Sequence, residues 1–179
     1  MDVGVVGFLL LGAFYTFAGF AGVEMACRSR LFDIAIAKIS MKRPPQAETL
    51  KGLWFIGQGL VILAGGLALL LRLDLAAVFF LIGAAGQALY LGLLGPFYFD
   101  KSDPPDPRGR AQSQNAFVIY LAATAIVVWG TWTGRLLSID RVSWWAHGAA
   151  LAVLAGYGAF AAKRFAWPLA DRGASTGSE

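Results

Sequence analysis

The chain has 179 residues, of which 58% are apolar and 15% are charged, and its formal net charge is +4 at pH 7. A soluble globular domain carries about 25% charged residues, so this composition excludes an ordinary water-soluble fold. The Lys and Arg residues flank long apolar segments instead of forming one basic patch, which excludes nucleic acid as the partner that the net charge would suggest.

Five long apolar segments are predicted to cross a membrane. In chain order they are residues 3–26, 52–71, 75–97, 115–134 and 142–162. About 20 residues of α-helix cover the roughly 30 Å of a hydrocarbon core, so each segment crosses once. The segments do not alternate in polarity as the strands of a membrane barrel do. The sequence therefore predicts an all-α integral membrane protein, a five-helix transmembrane bundle of one domain.

The distribution of basic residues predicts the orientation of the bundle. Twelve of the fifteen Lys and Arg residues lie on one side of the predicted membrane, and only Arg72, Arg135 and Arg141 lie on the other. Cytoplasmic loops retain Lys and Arg during insertion. We therefore expect the N-terminus outside and the C-terminus in the cytoplasm. Short loops and frequent Ala, Gly and Arg favour the cytoplasmic (inner) membrane of a bacterium.

The segment that follows the first span is predicted to form a short interfacial helix near residues 30–41. Its apolar residues share one helical face, with Arg30 and Asp33 opposite, and a Pro pair follows it. An inward extension of the first span is the alternative. Trp54 opens the second span, where we assign it to the aromatic belt at the membrane interface.

The connection between the third and fourth spans, residues 99–115, is rich in Pro and polar residues and is predicted to be neither helix nor strand. Its three acids, Asp100, Asp103 and Asp106, are interpreted as part of a solvated linker, with a docking surface as the alternative. A metal site is disfavoured because extended chain points successive side chains apart, whereas a metal ion needs them to converge. We predict no metal site. The tail, residues 171–179, is predicted to be disordered in the cytoplasm.

Small residues recur at helical spacing and predict close packing between helices in lipid. The rows are Ala18, Gly22 and Ala26 on the first span, Ala84, Ala88 and Gly92 on the third, Gly130 and Gly134 on the fourth, and Ala152 and Gly156 on the fifth. Short outer connections also predict that spans two and three, and spans four and five, pack as antiparallel hairpins.

Two glutamines are expected at equal depth in the second hairpin. Counted from the turn at Leu73, Gln58 and Gln87 lie almost equally far along their helices. An amide in hydrocarbon needs a partner, so Gln58 and Gln87 are expected to bond each other or to share a polar pocket with Tyr90. Such a pocket could also orient one lipophilic molecule, and the three residues are therefore the candidate ligand-binding site.

Two ionisable residues are weaker functional candidates. Glu24 is the one carboxylate within a predicted span, but Arg28 follows it by one helical turn, so a local ion pair explains it as well as a functional carboxylate does. His147, the only histidine, lies near the start of the fifth span. A single histidine cannot supply both axial ligands of a bis-histidine haem, so no cofactor is predicted, and one-histidine ligation of a haem or pigment is the minor alternative.

The sequence contains none of the common catalytic or phosphate-binding motifs, and three hypotheses for the function remain. The leading hypothesis is a non-enzymatic accessory or assembly subunit that packs against other membrane protein subunits and membrane lipids. The second is a binder or carrier of a small lipophilic molecule, a quinone, lipid or isoprenoid, near Gln58, Gln87 and Tyr90. The third is a membrane-embedded enzyme acting at the interface through Glu24 or His147.

Overall fold

The structure is a computed structural model that describes residues 3–41, 46–99 and 107–174, with side chains described up to Ala166. The described residues form five long helices: α1 (Val3–Ile39), α2 (Gln46–Leu70), α3 (Leu75–Leu89), α4 (Pro107–Trp132) and α5 (Trp144–Ala174). A π-helical segment, Tyr90–Phe99, continues α3, and a 3-10 helix, Ile139–Arg141, precedes α5. With α3 and its continuation counted together, all five are long and apolar enough to cross a membrane. The predicted all-α, five-helix architecture is confirmed, and it is that of a multi-pass membrane protein.

The predicted interfacial helix near residues 30–41 is wrong, because α1 continues without a break through Ile39. The alternative, an extension of the first span, is correct. Arg30, which the helical pattern assigned to a polar outer face, is only 4% exposed. Its guanidinium donates to the Thr49 hydroxyl and lies 4.9 Å from the centre of the Phe165 ring. These partners hold the Arg30 side chain inside the bundle, whereas Phe32 and Ile36 on the same part of α1 are exposed.

Two further boundaries differ from the prediction. α4 begins at Pro107, so the second half of the connection predicted to lack regular structure is helical. Proline suits the first position of a helix, because the N–H that it lacks would have no partner there. α5 extends through Ala174, so the first four residues of the predicted disordered tail are helical as well. Residues 175–179 and the three acids Asp100, Asp103 and Asp106 lie outside the described residues.

The bundle has two ends, named here after Leu73 and Arg30. The Leu73 end carries residues 71–74 and 133–143, and the Arg30 end carries the C-terminal part of α1, the start of α2, the end of the π-helical segment and the start of α4.

At the Leu73 end, the connection after α4 is tied to the turn between α2 and α3. The backbone N–H of Leu137 donates to the carbonyl of Arg72 at 2.6 Å, and the N–H of Asp74 donates to the carbonyl of Leu137 at 3.0 Å. The connection therefore crosses this end of the bundle before α5 begins. As a result α5 packs on α1 and α2, while the predicted hairpin of the fourth and fifth spans does not form.

The buried side chains form two groups along the bundle axis. The first lies toward the Leu73 end, where the rings of Tyr15, Phe80 and Tyr120 meet with centroid separations of 5.1 to 5.5 Å. The second lies toward the Arg30 end, where Val23 and Ile56 pack against Ala161 of α5.

Candidate functional site

Four glycines bring α1 and α2 into backbone contact and so set the position of the cavity. Gly12 and Gly19 on α1 face Gly66 and Gly59 on α2. A Cβ atom at Gly19 would lie 2.5 Å from the backbone nitrogen of Leu63, which no side chain can tolerate. The two helices are therefore pressed together along this seam, as expected for helices that associate through small residues in lipid.

The cavity has a volume of about 470 Å³ and lies between α1, α2, α3 and α4 in the half of the bundle nearer the Arg30 end. Pockets that hold one small organic molecule span about 300 to 1,000 Å³, so this cavity has room for one such ligand or for part of a longer one. Most of its surface is apolar, and none of the described residues that line it is charged. The lining residues with hydrogen-bonding side chains are Ser29, Trp54, Gln58, Gln87, Tyr90 and Ser113.

Two side chains of α2 that line the cavity each carry a buried polar atom with no hydrogen-bond partner among the described residues. They are the carbonyl oxygen Oε1 of Gln58 and the indole nitrogen Nε1 of Trp54. Both atoms have almost no accessible surface, so neither contacts the open volume of the cavity. The Gln58 amide lies so close to Gly86 of α3 that a Cβ at Gly86 would clash with it.

Tyr90 lies where α3 changes into the π-helical segment. Its ring lies 4.9 Å from that of Phe55 and 6.1 Å from that of Phe99, measured between centroids. The Phe55 and Tyr90 rings line the cavity, whereas Phe99 is not among the lining residues. The π-helical segment is ten residues long, and its first two residues, Tyr90 and Leu91, line the cavity.

The cavity is closed toward the Leu73 end and open at the side. Tyr15 and Tyr120 stand one helical turn beyond the lining residues Ala18 and Ala116, and their rings contact each other. Next to the cavity, α1 and α4 separate, and the lining residues Gly22, Met25, Ser113 and Ala116 are exposed there. This gap faces the surface that lipid would cover, so a lipophilic molecule could reach the cavity from within the bilayer.

Gln58, Gln87 and Tyr90 all line this one cavity. Within the described part of the chain, no hydrogen bond joins the two amides, so of the two expected arrangements the shared pocket is the one that forms. Their role as ligand contacts stays a prediction. The row Ala18, Gly22 and Ala26 was predicted to pack against a helix, and Ala18 and Ala26 do pack against the buried clusters. All three also line the cavity, and a Cβ at Gly22 would meet open space.

Sequence reasoning missed Trp54 as a site residue. A Trp at the start of a span is normally interpreted as an interface anchor, and nothing in the spacing opposes that interpretation. The available signal was its position four residues before Gln58, which places both side chains on the same face of α2.

Glu24 does not line the cavity. Its carboxylate accepts a hydrogen bond from Arg28 at 2.9 Å, the predicted ion pair, and a second from Arg164 of α5 at 2.5 Å. Nearby, the Tyr157 hydroxyl donates to the Phe20 carbonyl at 2.9 Å. The ion pair between Glu24 and Arg164 thus links α1 to the C-terminal part of α5.

His147 lies at the opposite end of α5. Its Nδ1 is 3.1 Å from the carbonyl oxygen of Ser143, and its Nε2 is buried without a partner beside an apolar cavity of about 210 Å³ between α2, α3 and α5. The 17 residues from His147 to Arg164 span roughly 25 Å of helix, so Glu24 and His147 are too far apart to act as one acid–base pair. Among the described residues, no three metal-ligating side chains of the His, Cys, Asp and Glu types converge.

Comparisons of the chain with protein-family models, with curated proteins and with solved structures found no match.

Proposed function

We propose that the protein binds one small lipophilic molecule, a quinone, lipid or isoprenoid, in the cavity lined by Gln58, Gln87 and Tyr90. The observation that carries this proposal is the cavity of about 470 Å³, mostly apolar, which Gln58, Gln87 and Tyr90 line together with no charged side chain among the described residues. A ligand with a polar head and an apolar body would place its head near these three side chains and fill the apolar space. The gap between α1 and α4 supplies a route from the lipid.

The test is native mass spectrometry of the protein extracted gently from its own membrane. The wild type is expected to carry a discrete apolar adduct, and the double variant Gln58→Leu/Gln87→Leu is expected to lose it while staying folded. The matched control is Gln46→Leu/Gln112→Leu, which changes two exposed glutamines outside the cavity. An adduct absent from the wild type, or retained equally by both double variants, would refute the proposal.

An accessory subunit is the second candidate, and the packing of α5 favours it. Only 6% of the most apolar window of α5 is buried within the protein, compared with 44% for α2. Partner helices in a complex could cover the rest of this surface, although lipid could do so as well. Native mass spectrometry also distinguishes a partner subunit from lipid on this surface. A membrane subunit that copurifies with the wild type and is lost from the Leu151→Arg variant supports the accessory role. A wild-type chain that carries no partner opposes it.

We also propose the cytoplasmic membrane of a bacterium as the location, with the Arg30 end in the cytoplasm. The bundle supports this orientation because its topology brings Arg28, Arg30, Lys51, Lys163 and Arg164 to the same end. The ligand would then lie in the cytoplasmic leaflet. Enzymatic action through Glu24 or His147 stays a hypothesis that no contact of either residue favours, since the Glu24 carboxylate is already paired with Arg28 and Arg164.

A further inference from the structure

A small charged cavity adjoins the large apolar one at the Arg30 end of the bundle. Its volume is about 110 Å³, and more of its surface is polar than apolar. Ala26, Ser29 and Phe55 line both cavities, so the two spaces lie side by side between α1 and α2. The charged residues that line the small cavity are two acids and two bases, Asp33, Glu48, Arg30 and Lys51.

Helical spacing places these charged residues on facing sides of the two helices. Arg30 and Asp33 are three residues apart on α1, and Glu48 and Lys51 are three residues apart on α2. Residues at this spacing are neighbours on one face of a helix. Because the cavity between the two faces is small, the side chains on its opposite walls are within reach of the same head group.

The charges on the two acids and on Arg30 are not neutralised within the described part of the chain. Asp33 and Glu48 are partly exposed and form no ion pair there. Arg30 is buried, and its partners, the Thr49 hydroxyl and the Phe165 ring, carry no negative charge. A buried charge without a counter-ion is costly. The cavity therefore suits a ligand that carries both a positive and a negative group.

We infer that the site binds a phospholipid with an ethanolamine head group, an inference that rests on the ligand-binding function proposed above. The primary ammonium of this head donates hydrogen bonds to Asp33 and Glu48, and its phosphate accepts from Arg30. The ester groups then lie toward Gln58 and Gln87, and the acyl chains fill the apolar cavity and leave through the gap between α1 and α4.

The groups along the bundle follow the order of the parts of such a lipid. The charged cavity lies at the Arg30 end, near the start of α2, and Gln58 lies ten residues further along that helix. The rings of Tyr15 and Tyr120 close the site toward the Leu73 end. A phospholipid of the leaflet at the Arg30 end carries its amine outermost and its acyl chains innermost. It can therefore enter through the lateral gap without turning over.

Other head groups leave part of the site unpaired. The trimethylammonium of phosphatidylcholine has no N–H to donate, and its three methyl groups enlarge it. Phosphatidylglycerol has an anionic phosphate but no cation, so the charges of Asp33 and Glu48 would remain unpaired and would repel it. The heads of quinones and isoprenoid alcohols carry no charge and neutralise neither the acids nor Arg30.

The experiment compares three phospholipids with the same acyl chains, namely dioleoyl phosphatidylethanolamine, phosphatidylcholine and phosphatidylglycerol. Each is added to the full chain in a non-ionic detergent, and the bound fraction is measured by native mass spectrometry. We expect the ethanolamine lipid to bind about tenfold more tightly than either of the others, because only its head donates to the acids and accepts from Arg30. The adduct that the protein carries from its own membrane should have the mass of an ethanolamine phospholipid.

Variants tie the preference to the two acids. In Asp33→Asn/Glu48→Gln the preference for the ethanolamine lipid over phosphatidylcholine should disappear, while phosphatidylcholine binds as it does to the wild type. Retained binding of phosphatidylcholine shows that the cavity still forms. The matched control, Asp74→Asn/Asp140→Asn, makes the same change of charge outside both cavities and should keep the full preference. If the double variant binds no lipid, the single variants Asp33→Asn and Glu48→Gln are compared in the same way, and each should lose part of the preference.

The outcomes separate this inference from the proposed function. Equal binding of the ethanolamine and choline lipids to the wild type overturns the choice of head group and leaves a lipophile site in place. Tighter binding of phosphatidylglycerol, an unchanged preference in the variants of Asp33 and Glu48, or a native adduct with the mass of a quinone or isoprenoid also overturns it. If no lipid binds and the protein from its own membrane carries no apolar adduct, the proposed function fails together with the inference.

Discussion

At the residue scale, the glycines of α2 differ in what a side chain at each position would meet. A Cβ at Gly66 would clash with the backbone nitrogen and the hydroxyl of Thr16, whereas a Cβ at Gly57 would meet nothing within 4 Å. We therefore expect Gly66→Ala to lower the free energy of unfolding by about 1–3 kcal/mol, because α1 and α2 must move apart to admit the methyl group. Gly57→Ala should leave stability unchanged or raise it by about 0.5–1 kcal/mol, since alanine is the better helix former.

Reversible unfolding of the two variants in mixed detergent micelles measures this difference. The substitutions are chemically identical and lie on the same helix, so helix propensity cancels in the comparison. Equal stability of the two variants would mean that the seam between α1 and α2 is not the close contact described here.

The same scale shows how far sequence reasoning reaches into the candidate site. Gln58 and Gln87 could be matched in depth because a short turn fixes the register of two antiparallel helices. The packing of the Gln58 side chain could not be predicted, because it depends on the absence of a side chain at Gly86, against which the amide rests. Trp54 was missed for a similar reason: its place in the cavity lining depends on packing between helices, and composition alone carries no such information.

At the scale of elements, the gap between α1 and α4 is expected to control access to the cavity. Gly22 lies at this gap, is exposed, and has open space around the position of a Cβ. Gly22→Leu should therefore reduce retention of the apolar ligand by about tenfold or more, because the new side chain occupies the opening, without disturbing a contact between helices. Gly7→Leu is the matched control, since Gly7 is also an exposed α1 glycine with open space around it but does not line the cavity.

The measurement is the amount of ligand that each variant and the wild type retain after extraction, determined by mass spectrometry at equal protein loading. If both leucine variants retain the ligand as the wild type does, the ligand does not pass through or occupy the gap. If both lose it equally, the effect belongs to α1 in general and the gap has no special part.

The sequence predicted the apolar segments of the helices well and their extensions beyond those segments poorly. The apolar segments of α2 and α3 follow directly from hydropathy, since lipid tolerates only long runs without charge. The extension of α1 depends instead on Arg30 finding Thr49 and the Phe165 ring, which are distant in sequence. The path of α5 likewise depends on the pairing of Leu137 with the turn at Arg72. Such long-range partners override the local pattern, and a local pattern cannot reveal them.

At the scale of the whole molecule, the orientation decides which leaflet supplies the ligand. Cys27 is buried, so a Cys27→Ala background gives a chain without cysteine into which single cysteines can be placed. Ser138 is exposed at the Leu73 end and Ser40 is exposed at the Arg30 end. We expect Ser138→Cys to react with a membrane-impermeant maleimide on intact bacterial spheroplasts and Ser40→Cys to react only after permeabilisation, because retained basic residues hold the Arg30 end inside.

The two serines serve as controls for each other, since both are exposed polar residues that flank helices. Labelling of Ser40→Cys alone on intact spheroplasts would invert the orientation and move the cavity to the outer leaflet. The lining of the cavity would be the same in either leaflet, because it depends on the packing of α1, α2, α3 and α4 and not on the side of the membrane. The labelling result therefore determines from which leaflet the ligand must come.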